Sequence, residues 1–213
     1  PGATPAGVMI LGCGLVGAGA VRVAAGLGAA VTALDIDEDK LAAIKETYPE
    51  VTTLASNPEN IASVLAGADI LLNAVMWPRT RKGHLVTREM LSLMPSGAVL
   101  VDVAADIGGA LETCLKQTTH DDPVYEVDGH QHYVVANIPS LAARSASEAL
   151  AEVTLPYALK LADMGAHTAM LQDRPLRQGL TCIAGHMVRD VTAQWYGCEA
   201  LPHDDLLAIL HAG

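Results

Sequence analysis

The residues whose spacing first points to chemistry are Gly12-Cys13-Gly14-Leu15-Val16-Gly17, a G-x-G-x-x-G that closes one short apolar run and opens an alanine-rich one. A strand entering such a turn and a helix leaving it make a diphosphate site. The first glycine allows the tight bend, the second lets the ligand approach backbone, and the third lets strand and helix pack closely. Free N–H groups and the dipole at the helix start then favour negative charge. The acidic partner is Asp35, 23 positions after Gly12 at the end of the next apolar run, where a carboxylate can accept hydrogen bonds from both ribose hydroxyls. A 2′-phosphate would meet like charge there, so the pattern points to NAD and away from NADP. A helix N-cap is the competing role for Asp35 or Asp37, and Asp37 suits it. Gly12, Gly14, Leu15, Val16, Gly17, Asp35, Ile36 and Lys40 are therefore the expected cofactor residues of the first half.

A second constellation lies further on. Ligands of a doubly wound sheet sit beyond the carboxyl ends of its strands, which brings forward Val75 to Pro78 and Val103 to Gly109, with Asp106 just before a glycine pair. Asp106 is the candidate for chemistry there, with the N-cap of the following turn as its structural alternative. Asp102, inside the strand end, is expected to tie down a backbone turn. The cluster Arg79, Arg81 and Lys82 reads as an anion contact or as a solvated loop tip. His130 and His132 would share a strand face, but no acidic or cysteine ligand joins them at metal spacing, so both read as structural and no metal is expected. No nucleophile neighbours His120, His186 or His203, so a Ser-His-Asp hydrolase has little support. Cys13, in the phosphate turn, reads as a small tolerated residue.

These residues need a framework of alternating elements. The apolar run 8–11 and the helical stretch 15–27 are followed by a strand at 30–34, a helix over Lys40 to Tyr48, a strand at 51–54, a capped helix at 57–65 and a strand at 70–75. A short helix at 87–94 and the strand 98–103 complete the series. Strands alternating with helices imply an α/β, Rossmann-type, doubly wound parallel sheet. From Thr118 to Val135 the pattern turns to short β pieces, with turns at Asp121-Asp122-Pro123 and Asp128-Gly129. A long helix is expected from Ser140 to Met164, tolerating Pro156 and closed by Gly165, then two or three short helices. The division is drawn as 1–138 and 139–213.

Composition narrows the partners. The chain has 213 residues, 51% of them hydrophobic, with no Phe and a formal net charge of −11. That is enough apolar material for a core. The charge argues against nucleic acid or an anionic membrane surface as partner. The run from Ala6 to Val21 carries five glycines and lacks a charged n-region, so it reads as neither signal peptide nor membrane span. Cys13, Cys114, Cys182 and Cys198 form no C-x-x-C pair and read as small buried hydrophobes in a reducing compartment, the cytoplasm. The start at Pro1, with a strand almost at once, reads as a piece of a longer protein.

Several separate segments, in order, carry a resemblance: Val99-Leu100-Val101-Asp102-Val103-Ala104-Ala105-Asp106-Ile107-Gly108-Gly109, then Thr118-Thr119-His120 with Pro123, Val135-Ala136-Asn137-Ile138-Pro139, and Leu155-Pro156-Tyr157-Ala158-Leu159. Along nearly its whole length the chain resembles the alanine dehydrogenase and pyridine nucleotide transhydrogenase family. The resemblance implies oxidative deamination of L-alanine with NAD, a small-molecule amino-acid or 2-oxo-acid substrate, and a homo-oligomer, usually a hexamer. It implies that Asp106 lies beside nicotinamide and substrate, and that Val75, Met76, Val103, Val135, Asn137 and Ile138 line the nicotinamide and its ribose. It also implies that residues 139–213 are a connecting helix and the last part of a catalytic domain. The family's substrate-binding arginine, lysine and histidine would precede this chain, leaving it to bind NAD(H) without turnover. The loop Met76 to His84 is bulkier and more basic than in alanine dehydrogenases and is similar to that of carboxyethyl-amino-acid synthases, as is Asp122 to Gly129. Residues 140–145 lack the second proline usual in alanine dehydrogenases. The alternatives are such an opine-type synthase or a non-catalytic NAD(H)-binding or transhydrogenase module.

Overall fold

The computed structural model describes residue 2 and residues 4–78, 81–104 and 109–212, in two compact units, Pro1–Ile138 and Pro139–Gly213. The first unit begins β1 (Gly7–Leu11), α1 (Leu15–Gly26), β2 (Ala30–Asp35), α2 (Glu38–Thr47), β3 (Thr52–Ala55), α3 (Pro58–Leu65), β4 (Ile70–Asn73), α4 (Arg88–Leu91) and β5 (Val99–Asp102). It ends with β6 (Val124–Val127) and β7 (His130–Tyr133). The strands form one seven-stranded sheet in the order β3-β2-β1-β4-β5-β7-β6. All pairs are parallel except β6 with β7.

Strand alternation explains the layers. Val8 and Ile10 of β1 face Val21 of α1 and Leu41 and Ile44 of α2, while Met9 and Leu11 face Ile61 and Leu65 of α3 and Leu91 of α4. One face is covered by α3 and α4; on the other, α1 and α2 cover β1 and β2, while Ile70 and Leu72 of β4 and Val99 and Val101 of β5 are half-buried. Burying one such side chain contributes about 1.5–3 kcal/mol, so the two layers together hold the strand ends in place. Local signals set the helix starts: Asp37 accepts from the amides of Asp39 and Lys40, Asn57 from that of Asn60, and Thr87 from that of Met90.

At its edge the sheet turns antiparallel, at the turn expected over Asp128-Gly129. Asp128 and Gly129 have φ of 53° and 79°, a two-residue turn that folds β6 back on β7.

The second unit holds α5 (Ala143–Met164), preceded by a 3-10 turn over Ile138–Ala142, then α6 (Ala166–Gln172), α7 (Arg174–Gly179), α8 (Asp190–Trp195) and α9 (His203–Ala212). Among the described residues four short helices follow the long one, against two or three expected. Between α7 and α8 a small hairpin pairs β8 (Cys182–Ile183) with β9 (His186–Met187) through Ala184 and Gly185, both at positive φ. Cys13 and Cys114 are buried as expected, but Cys182 and Cys198 are exposed, because one lies on this hairpin and the other in the turn after α8. No described helix is long and apolar enough to cross a membrane.

Candidate cofactor site

The sheet changes direction at β1, which has β2 on one side and β4 on the other. A crevice opens beyond the carboxyl ends of β1 and β4 at such a point, and the glycine turn sits there. Gly12 donates its N–H to Leu34 O at 2.8 Å, and Ala74 donates to Leu11 O at 2.8 Å, which ties the turn to both neighbouring strands.

The three glycines serve different purposes. Gly12 has φ +87°, and a Cβ there would stand 3.0 Å from the Ala74 carbonyl and 3.1 Å from Val75 Cγ2. A Cβ on Gly17 would stand 1.7 Å from Gly12 O. Both are therefore required by the protein's own packing. Gly14 is not: its φ is an ordinary −69°, and a Cβ there would meet nothing within 4 Å. The open space over Gly14 lies at the start of α1, whose N-cap offers no side-chain hydrogen bond. The first amides of α1 thus have no capping side chain, Leu15 is 98% exposed, and Val16 is more than half exposed. This cradle fits a diphosphate.

Asp35 ends β2 and is only 8% exposed. Its Oδ2 accepts from the Cys13 amide at 2.6 Å and its Oδ1 from the Asp37 amide at 2.9 Å. The carboxylate therefore ties the glycine turn to the end of β2. With about four acceptor directions on a carboxylate, two are taken and two remain for hydroxyl donors. Ile36 is 86% exposed, and Lys40 is exposed and paired with Asp37 at 3.3 Å. Burial, then the Asp35 charge, pushes the Cys13 thiol pKa up to about 11. A thiol held neutral in this way is a poor nucleophile.

Across the crevice, Asn73 and Asp102 end β4 and β5 and face each other in register. Asn73 Nδ2 donates to Asp102 Oδ1 at 2.8 Å, Val75 N donates to Asn73 Oδ1 at 3.1 Å, and Ala104 N donates to Asp102 Oδ1 at 3.1 Å. Asp102 thus ties down a turn. Asn73 was not among the residues singled out from the sequence, although a polar side chain ending a buried apolar run was its signal. Val75 and Val103 are half-buried, Met76 is 87% exposed, Val135 is buried, Asn137 is exposed and Ile138 half-buried. His120 Nε2 lies 2.9 Å from Asn137 O. Asp106 lies outside the described residues.

In the loop after β4, Trp77 is buried and donates its indole N–H to Gly83 O at 3.1 Å, with the Arg81 guanidinium 4.4 Å from its ring centre. His130 and His132 share the buried face of β7. His132 lies 2.7 Å from Thr113 Oγ1, and burial lowers its pKa. Among the described residues no group of three or more His, Cys, Asp or Glu is placed to hold a metal ion.

The family model described as "Alanine dehydrogenase/PNT, C-terminal domain" matches residues 1–190. The chain belongs to this family. It is 43% identical over 208 residues to an alanine dehydrogenase of Bacillus subtilis, covering 97% of this chain and 55% of the relative. It is 41% identical over 208 residues to an alanine dehydrogenase of Methanococcus maripaludis, covering 97% and 56%. Among solved structures, an L-alanine dehydrogenase superposes with a TM-score of 0.80 at 40% identity, over 91% of this chain and 53% of that one. A transhydrogenase from Sinorhizobium meliloti superposes with a TM-score of 0.54 at 30% identity, over 68% and 41%. This member of the alanine dehydrogenase/PNT family spans about half the length of the relatives it matches.

Proposed function

We propose that this chain supplies the NAD(H) site of an amino-acid dehydrogenase whose reaction is L-alanine + NAD⁺ + H₂O to pyruvate + NH₄⁺ + NADH + H⁺, and the reverse. The observation that carries the reading is the open space over Gly14 at an uncapped helix start, with the Asp35 carboxylate bonded to the same turn. The diphosphate lies against Gly14, Leu15, Val16 and Gly17, with Gly12 shaping the bend. The adenosine ribose donates to Asp35, with Ile36 and Lys40 beside it, and NADPH is disfavoured by the carboxylate. Val75, Met76, Val103, Val135, Asn137 and Ile138 line the nicotinamide and its ribose. Bound NAD⁺ supplies the hydride acceptor. Asp106, by its position in the sequence after β5, holds or moves the proton and orients water.

Residues 139–213 belong, in this reading, to the substrate-binding domain, and the chain by itself binds NAD(H) without turnover. The whole enzyme is a cytoplasmic homo-oligomer, a hexamer by the family resemblance. The four free thiols are consistent with a reducing compartment. The test is alanine-dependent NADH formation by the longer protein that contains this chain, followed at 340 nm, with other small amino acids and with pyruvate plus larger amino acids as comparison substrates. The last pair covers a second reading, the carboxyethyl-amino-acid synthase. It is favoured by the Trp77–Arg81 stack, which keeps a cation in the loop after β4, where a second carboxylate could be held.

A further inference from the structure

We infer that Asn73 and Asp102 act as one positioning pair that sets the nicotinamide end of the crevice independently of its adenosine end. This rests on the dinucleotide site proposed above. The two residues are register partners at the last positions of two parallel strands, and neither is exposed at all. Their mutual hydrogen bond uses one donor of Asn73. Each then spends an acceptor on the amide two residues further along its own chain, Val75 N and Ala104 N. A side chain that accepts from the backbone two residues on bends the chain there. The pair thereby decides the direction in which both strands leave the sheet.

Val103 N donates to Asn73 O at 3.0 Å, so the two exits are also joined through backbone. Beyond the β4 bend stands Val75, half-buried and, in the reading proposed above, at the nicotinamide end. Burial, followed by the Asp102 negative charge, pushes the Cys114 thiol pKa up, so this buried thiol remains a neutral neighbour of the pair. Two apolar side chains would fill this space without the desolvation cost of a buried carboxylate. They would leave the Val75 and Ala104 amides undirected. The polar pair adds geometry at the strand exits, on the side where the nicotinamide half would rest.

The test compares NADH with ADP-ribose, which has the same adenosine and diphosphate but no nicotinamide, by calorimetric titration of this chain. Asn73→Asp places two carboxylates opposite each other and breaks the pair, and Asn73→Asp with Asp102→Asn restores it with the roles exchanged. NADH affinity should fall about tenfold or more in Asn73→Asp while ADP-ribose affinity stays within about twofold, and the exchanged pair should regain most of the NADH affinity. If Asn73→Asp does not fold, the exchanged pair decides alone: a wild-type ratio of NADH to ADP-ribose affinity supports the inference, and a changed ratio overturns it. Equal loss of both ligands, no loss of either, or no recovery of NADH affinity on exchange also overturns it. A wild-type chain that binds neither ligand overturns the dinucleotide reading along with it. Wild-type binding of both, with the variants behaving alike, overturns the positioning pair only.

Discussion

Gly14 and Gly17 stand three residues apart in one turn, yet alanine at each should do opposite things. A Cβ on Gly14 meets nothing within 4 Å, and the backbone there has an ordinary φ of −69°. Gly→Ala at such a position gains about 0.4–1 kcal/mol by restricting the unfolded chain, and alanine loses a similar amount as a helix N-cap. The two offset, so Gly14→Ala should melt within about 2 °C of the parent. Its methyl stands where a diphosphate would receive the helix amides. Losing one charge-assisted bond of about 1.5–3 kcal/mol weakens NADH roughly 10- to 150-fold. Gly17→Ala puts a methyl 1.7 Å from Gly12 O, a contact relieved only by moving α1 off β1. Overpacking of that kind costs about 1–3 kcal/mol, or roughly 2–12 °C in melting temperature for a chain of this size. Differential scanning calorimetry and NADH titration on the two variants read both quantities. A Gly14→Ala chain that binds NADH like the parent would refute the placement of the diphosphate. A Gly17→Ala chain that melts like the parent would refute the assignment of Gly17 to packing.

Three further outcomes follow from burial and charge. Cys13, with its thiol pushed up to about 11, should resist iodoacetamide at pH 8 in the folded chain and react once unfolded, as read by mass spectrometry of Cys13 peptides. His132 has a folded pKa below its ordinary 6.5, so its contribution is present above pH 6.5 and is lost as pH falls through the folded value. The urea midpoint should drop over that range, and a His132→Gln variant should show a shallower drop. Ile61, fully buried between α3 and the sheet, should cost about 2–5 kcal/mol when changed to alanine, measured by denaturant unfolding of the first unit.

The doubly wound core was legible because its signals are local. Short apolar runs end at Gly12, Asp35, Asn73 and Asp102, and the helices between them start at capping residues such as Asp37 and Asn57. The hairpin of β8 and β9 was not legible, since two-residue strands are too short to show alternation and Ala184, at φ 48°, is no turn signal. The antiparallel β6 was half legible: Asp128-Gly129 marks a turn, but nothing local says the strand before it reverses. At the site, the spacing of Asp35 from Gly12 pointed to a ribose carboxylate. Its bonds to the Cys13 and Asp37 amides could not be foreseen, because backbone donors leave no mark in a sequence. The Asn73–Asp102 bond joins residues 29 positions apart and becomes visible only once the register of β4 on β5 is known.

Titration of the chain with NADH and NADPH, beside an Asp35→Asn variant, decides whether the glycine turn and Asp35 form one NAD(H) site. Asparagine keeps one acceptor oxygen for the turn, whereas alanine would leave two amides unpaired. NADH should bind at least about tenfold more tightly than NADPH, and the variant should narrow this preference. Equal affinity for the two nucleotides, or a preference that survives in Asp35→Asn, would contradict a shared site.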